Sequence, residues 1–148
     1  MAFEGRLGTS GALGLAVGVL SVAIVVAAML YSPGPPPLEL NADALVIHSR
    51  FYGMTVPAAT VDVKNVRVVD LAAEPAWKPV TRTGGFGNPY YRAGTFRTAN
   101  GRTINLFTTG TQRLVLLPPA RESDTPVLLD VEKPDEFAAR VREIWRGR

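Results

Sequence analysis

Cysteine is absent from all 148 residues, and histidine occurs once, as His48. The missing cysteine excludes disulfides, thiolate metal sites and lipid attachment through a cysteine. The lone histidine would have to carry any histidine-dependent triad or zinc centre by itself. The nearest acids in sequence, Asp43 and Asp62, carry no mark of a ligand set. Charge is also missing over long intervals: none occurs between Arg6 and Glu39, and no acid occurs between Glu74 and Glu122. No nucleophile-base pair and no paired carboxylates can be assembled by spacing. The expectation is therefore a protein that is not an enzyme, with no cofactor and no metal.

What fills the first uncharged interval is an almost wholly apolar, helix-forming run from Gly11 to Tyr31. About 20 such residues are what one helix needs to cross a bilayer's hydrocarbon core. Ten residues from Leu13 to Leu30 are Leu, Ile or Val. At roughly −0.3 to −0.6 kcal/mol each they sum to about −4 kcal/mol, partly offset by Gly14, Gly18 and Ser21, so insertion is favoured. A secretory signal competes with this reading, with Arg6 as its charged start and Val26-Ala27-Ala28 as its small-residue cleavage site. The apolar run exceeds the roughly 7–15 residues of a signal core. Tyr31 also suits the interfacial belt where a membrane helix emerges. A single-pass anchor in the cell membrane is thus expected, with membrane lipid as its first partner. Arg6 and the amino terminus on one side, against Glu39 and Asp43 on the other, orient the soluble part outward. Gly11, Gly14, Gly18 and Ser21 recur at spacings of three and four on one helix face, the pattern that lets two membrane helices pack closely. The pattern allows a homo-oligomer through that face, against the plainer reading that glycine is simply frequent in membrane helices.

Residues 1–10 read as a tail, 11–31 as the membrane helix, 32–37 as a Pro/Gly linker and 38–148 as a β domain. In Ser32-Pro33-Gly34-Pro35-Pro36-Pro37 the prolines stop the helix and give a short, semi-rigid tether. Strand-like runs follow at Ala44–Ser49, Tyr52–Val56, Val61–Val69, Tyr90–Thr98, Thr103–Thr109, Arg113–Leu117 and Pro126–Val131. The third run shifts its alternation at Lys64-Asn65, which predicts a bulge. Asn100-Gly101 predicts a hairpin turn between the fourth and fifth. Seven short strands imply a small barrel or two packed antiparallel sheets. A helix over about 134–146 closes the chain, with Pro134 in its first turn and Phe137, Val141, Ile144 and Trp145 as its apolar stripe. It is expected to plug one open end of the barrel.

Gly84-Gly85-Phe86-Gly87 and Tyr90-Tyr91-Arg92-Ala93-Gly94-Thr95-Phe96-Arg97 carry a family likeness. Lys133-Pro134-Asp135-Glu136-Phe137 at the start of the closing helix and Val56-Pro57-Ala58-Ala59-Thr60-Val61 extend it. On these residues the chain resembles the bacterial PH-domain family, small membrane-anchored proteins mostly of unassigned function. The resemblance spans roughly Leu38 to Trp145 and implies a pleckstrin-homology-like fold: seven strands and a C-terminal helix. The chain departs from relatives that carry two membrane helices, and its Pro118–Thr125 loop is long. Phosphoinositide binding does not transfer, because the first hairpin offers only His48 and Arg50 where a basic cluster is required.

Thr83-Gly84-Gly85-Phe86-Gly87 lacks the lysine, the hydroxyl residue and the following helix of a phosphate loop; a turn with positive φ explains it better. Tyr90, Tyr91, Phe96, Phe107 and Trp145 read as core rather than as a ligand pocket. Aromatics interleaved with arginine suggest single-stranded nucleic acid, but a domain held against a bilayer makes that partner unexpected. Lys78, Arg82, Arg92, Arg97, Arg102, Arg113 and Arg121 all fall in the acid-free interval. They are candidate contacts for anionic headgroups, although strand parity sends Arg92 and Arg97 to opposite faces. The resulting expectation is a membrane-anchored, non-catalytic module that recruits a protein or lipid partner. The alternative is an exported barrel, released by signal cleavage, that binds a small apolar ligand.

Overall fold

The uncharged N-terminal segment forms helix α1, Thr9–Leu30, and none of the apolar span from Ser10 to Leu30 is buried against the rest of the chain. These relations come from a computed structural model that describes residues 9–147. The tail assigned to residues 1–10 therefore lies mostly outside the described residues, as does Arg6, on which the orientation depends.

After α1 the chain builds two sheets. The smaller is a meander of β1 (Leu38–Leu40), β2 (Ala44–Ile47) and β3 (Met54–Pro57). Its first turn is set by Asn41, whose side-chain carbonyl accepts the amides of Asp43 and Ala44 at 3.0 and 2.9 Å. Alternation along β2 turns Leu45 and Ile47 inward, both essentially fully buried. The larger sheet contains β4 (Arg67–Asp70), β5 (Pro79–Gly87), β6 (Arg92–Thr98), β7 (Thr103–Thr108), β8 (Arg113–Leu117) and β9 (Val127–Leu129), in the order β4-β8-β9-β7-β6-β5. Among the described residues the fold is mostly β, with two sheets and a C-terminal helix, and the barrel does not close.

Both faces of the large sheet are buried, which is why β8 and β9 read as continuous apolar runs rather than alternating ones. Val115, Leu117, Val127, Leu129, Ala93 and Phe107 face the small sheet and the C-terminal helix. Leu114, Leu116, Leu128, Ile104, Leu106 and Phe96 face the other way and are packed by Leu71 and Trp77 of the β4–β5 connection. The interior that a small apolar ligand would need is filled by these side chains.

Four expectations need correction. Among the described residues there are nine strands, not seven: β1 is too short to show a pattern, and β5 is broken by glycine. The Val61–Val69 run is not one bulged strand. Val61 makes an isolated bridge to Pro119, and Val63–Asn65 is a 3-10 turn; β4 begins only at Arg67. The sheets are not wholly antiparallel, since β9 pairs parallel to β7 while antiparallel to β8. Thr83–Gly87, expected as a turn, is the end of β5.

The closing helix α2, Pro134–Ile144, begins at the proline as expected and ends two residues earlier than predicted. It packs against β4 and β8. Arg142 donates to the carbonyl of Val66 at 2.6 Å, and the Trp145 indole N–H donates to the carbonyl of Asn41 at 2.9 Å. Trp145 is fully buried. The helix thus ties the edge of the large sheet to the β1–β2 turn instead of stoppering a barrel.

Candidate functional site at the exit of the apolar helix

Helix α1 leaves carbonyl groups unsatisfied at its C-terminus, as every helix does. Here Asn88, far away in sequence, takes up one of them and also the carbonyl just beyond the helix. Its side-chain amide donates to the carbonyls of Ala28 at 2.7 Å and Tyr31 at 2.9 Å. The oxygen of the same amide accepts the backbone N–H groups of Tyr90 and Tyr91 at 2.8 and 2.7 Å. One side chain therefore holds the β5–β6 loop in shape and fastens it to the helix end. Ser32 adds a hydroxyl bond to the carbonyl of Tyr90 at 3.2 Å.

Aromatic packing completes the junction. Tyr31 meets Phe51, Phe86 and Tyr91 edge-on, with centroids 5.4, 6.1 and 6.2 Å apart. Phe51 stacks on Phe86 at 4.7 Å. Tyr91 is buried, and its hydroxyl lies 2.8 Å from that of Ser49. The linker also lies on the domain: Pro36 is buried, and the Pro37 carbonyl accepts the amide of His48 at 2.9 Å.

The glycine-aromatic motif supports this junction from behind. Gly85 and Gly94 face each other across β5 and β6. Both have positive φ, +81° and +153°, and a β-carbon on either would collide with the opposite backbone. These two glycines are where the strands approach too closely for any side chain. Gly84 and Gly87 lack that constraint, the nearest atoms to a β-carbon there being 3.9 and 3.5 Å away. The turn-type φ expected of this segment occurs at Gly85, inside a strand. Of the other motif residues, Phe86 and Tyr91 join the junction, while Phe96 is core on the far face of the sheet.

The basic side chains fall into separate places. Arg82 and Arg92 stand beside Asn88: the Arg82 guanidinium reaches the Gly87 carbonyl at 3.4 Å, and Arg92 pairs with Gly87 across the strands. Lys78, Arg97 and Arg102 gather at the other end of β5 and β6, where Arg102 lies 5.3 Å over the Trp77 ring. Pairing of β6 with β7 is unbroken, so Arg92 and Arg97 point to opposite faces. Arg113 is engaged with Asp135 of α2 at 2.8 Å, and Arg121 is exposed in the β8–β9 connection. The structure brings Arg82 and Arg92 together at the helix exit and does not gather all seven on one face.

Gly11, Gly14, Gly18 and Ser21 are exposed, with nothing near a β-carbon at Gly14 or Gly18. The Ser21 hydroxyl turns back to the Val17 carbonyl at 2.8 Å. His48 is exposed, 3.5 Å from Glu39. No cluster of three or more potential metal ligands occurs among the described residues. Asn88, Phe51 and Ser32 were missed by sequence reasoning. Asn88-Pro89 is a turn signal, but nothing local points to a helix tens of residues upstream.

The sequence pattern of the Bacterial PH domain family matches residues 37–143. No curated protein and no solved structure matches the chain. The match covers both sheets and nearly all of α2, leaving out α1 and most of the linker. The chain belongs to the Bacterial PH domain family.

Proposed function

We propose that this protein is a membrane-tethered, non-catalytic PH-like module that holds its β domain at the bilayer surface and recruits a protein or lipid partner there. The observation that carries the reading is the junction. An uncharged 22-residue helix, exposed along its length, is fastened at its exit to the folded domain by Asn88 and Tyr31. The match to a PH-like family favours binding over catalysis. The partner sites that fit are loops and strand edges. β5 borders the large sheet with its outer edge unpaired among the described residues, and its bulges and Pro79 guard it against indiscriminate strand addition. The filled interior weighs against an exported carrier of apolar ligands.

Amino-terminal sequencing of the protein from a carbonate-washed membrane fraction tests this reading. The expected product keeps the whole of α1 and resists extraction. A mature chain that starts at Met29 and is released by the wash would end the anchor reading and leave only the exported domain.

A further inference from the structure

Outside α1, three large apolar side chains are exposed among the described residues: Phe51 at 49%, Val80 at 67% and Tyr90 at 51%. Two of the three stand at the helix exit, in the two loops that grip it. Phe51 lies in the β2–β3 connection against Tyr31, and Tyr90 lies in the β5–β6 connection beside Ser32. Aromatic rings with a wet side and a greasy side collect at the headgroup level of a bilayer.

The height of these loops follows from the helix. Its 22 residues span about 33 Å at 1.5 Å per residue, close to the roughly 30 Å of a hydrocarbon core. With α1 across the core, Leu30 marks its edge. Asn88 reaches the carbonyl of Ala28, two residues and about 3 Å inside that edge. The loop carrying Tyr90 is therefore at the lipid boundary, not suspended above it. Phe51, in ring contact with Tyr31, is held at the same level.

Charge agrees with the geometry. No acidic residue occurs from Ala44 to Val61 or from Pro75 to Arg121, the segments that contain both loops. Arg50 precedes Phe51, and Arg82 and Arg92 flank Asn88. Acid-free loops that carry arginine beside exposed aromatics complement a negatively charged leaflet.

We propose that the helix-proximal end of the β domain is a second membrane contact, in which the Asn88 clasp holds Phe51 and Tyr90 in the headgroup layer with Arg50, Arg82 and Arg92 beside anionic lipid phosphates. The contact rests on α1 being a retained anchor. It makes the domain a rigid extension of the helix, presenting the same remaining surface to partners at all times.

Because the chain has no native cysteine, single labelling sites can be placed freely. Phe51→Cys, Tyr90→Cys and, at the far turn, Asn100→Cys are each made in the full chain, given a nitroxide label and reconstituted in phosphatidylcholine nanodiscs with or without phosphatidylglycerol. Collision with oxygen, which partitions into lipid, is compared with collision with a water-soluble nickel chelate. The expected oxygen-to-nickel ratio is several-fold higher at 51 and 90 than at 100, and higher again with phosphatidylglycerol. Asn88→Asp keeps the acceptor for the Tyr90 and Tyr91 amides but removes the donor to Ala28 and Tyr31. With tryptophan fluorescence unchanged, this substitution is expected to move the ratio at 51 toward that at 100.

Labels at 51 and 90 as nickel-accessible as at 100, in an intact reconstituted chain, would overturn the seating and leave the anchor standing. Shielding from both reagents would overturn it in favour of a protein surface. Equal ratios in both lipids would remove the arginines from the contact. A processed chain that fails to enter discs would end the anchor, and the seating with it.

Discussion

Replacing Gly85 with alanine puts a methyl carbon against the carbonyl oxygen of Ala93 and 2.6 Å from the α-carbon of Gly94. Both neighbours are backbone, so no side chain can swing aside. Two costs add. An L-residue held at φ +81° loses about 1–2 kcal/mol relative to glycine. Relieving the overlap means parting β5 from β6 at this crossing, at the cost of one or two ladder hydrogen bonds worth about 1 kcal/mol each. The total is about 3 kcal/mol, a large share of the 5–15 kcal/mol that stabilises a typical domain. For a β domain of roughly 110 residues this lowers the melting midpoint by about 12 °C. Gly84→Ala is the matched control: its nearest neighbours are Thr95 side-chain atoms at 3.9 Å, so a change within about 0.5 kcal/mol is expected. The assay is thermal unfolding of the full chain in nanodiscs, followed by the emission of Trp77 and Trp145, which both lie in the β domain and report on it rather than on α1. Gly94→Ala should behave like Gly85→Ala. Equal midpoints for Gly84→Ala and Gly85→Ala would refute the claim that the glycine motif records a backbone crossing.

Trp145→Phe removes the indole bond to the Asn41 carbonyl and opens a gap under α2; a loss of about 2–3 kcal/mol is expected, measured by calorimetric melting. The Glu74 carboxyl is held below its ordinary range by the paired hydrogen bonds from Arg67 at 2.7 and 2.8 Å. A depressed carboxylate stabilises the fold above its unfolded pKa of about 4.3 and loses that contribution as pH falls through the folded value. Glu74→Gln should therefore melt slightly lower than the parent at pH 7, by under about 1 kcal/mol for so exposed a pair, and the difference should shrink as pH falls below the unfolded value. On the proposal that the Gly11/Gly14/Gly18/Ser21 face mediates self-association, Gly14→Ile with Gly18→Ile should abolish cross-linked dimer in membranes; undiminished dimer would remove that face from consideration.

Much of the architecture was readable because its causes are local. The uncharged stretch before Glu39 marks α1, and the Pro134 start with the Phe137/Val141/Trp145 spacing marks α2. Alternation or turn chemistry marks β2, β3, β6, β7 and β8. The failures share a cause. β5 carries Gly84, Gly85 and Gly87, residues that locally signal a turn, yet the long-range fit of Gly85 against Gly94 makes this segment a strand. The parallel pairing of β9 with β7 is equally invisible, since Val127–Leu129 is apolar on both faces and admits either direction. Val63–Asn65 bends because it must pass from the small sheet to the large one, a demand set by topology alone.

The junction shows the same limit more sharply, and it also shows what the family pattern encodes. Read alone, Asn88-Pro89 disqualified a phosphate loop; in the fold, Asn88 bonds across 60 and 57 residues to the last turn of α1 and the residue just beyond it. Gly85 and Gly94 set the crossing of β5 and β6, and that crossing aims the loop at the helix. Phe86 and Tyr91, on either side of the loop, supply two of the three rings that surround Tyr31. Gly85, Phe86, Tyr91 and Gly94 of the motif thus serve position, while its exposed Tyr90 and its Arg92 are left for the proposed lipid contact. Because Asn88, Ser32 and Tyr31 spend their polar groups and rings on the joint between α1 and the domain, the surface that remains for the proposed partner is the part of the domain facing away from the helix. A binding partner should therefore be lost on mutating the strand edges and loops at that distal end, and be indifferent to substitutions around Asn88 so long as the domain stays folded and tethered.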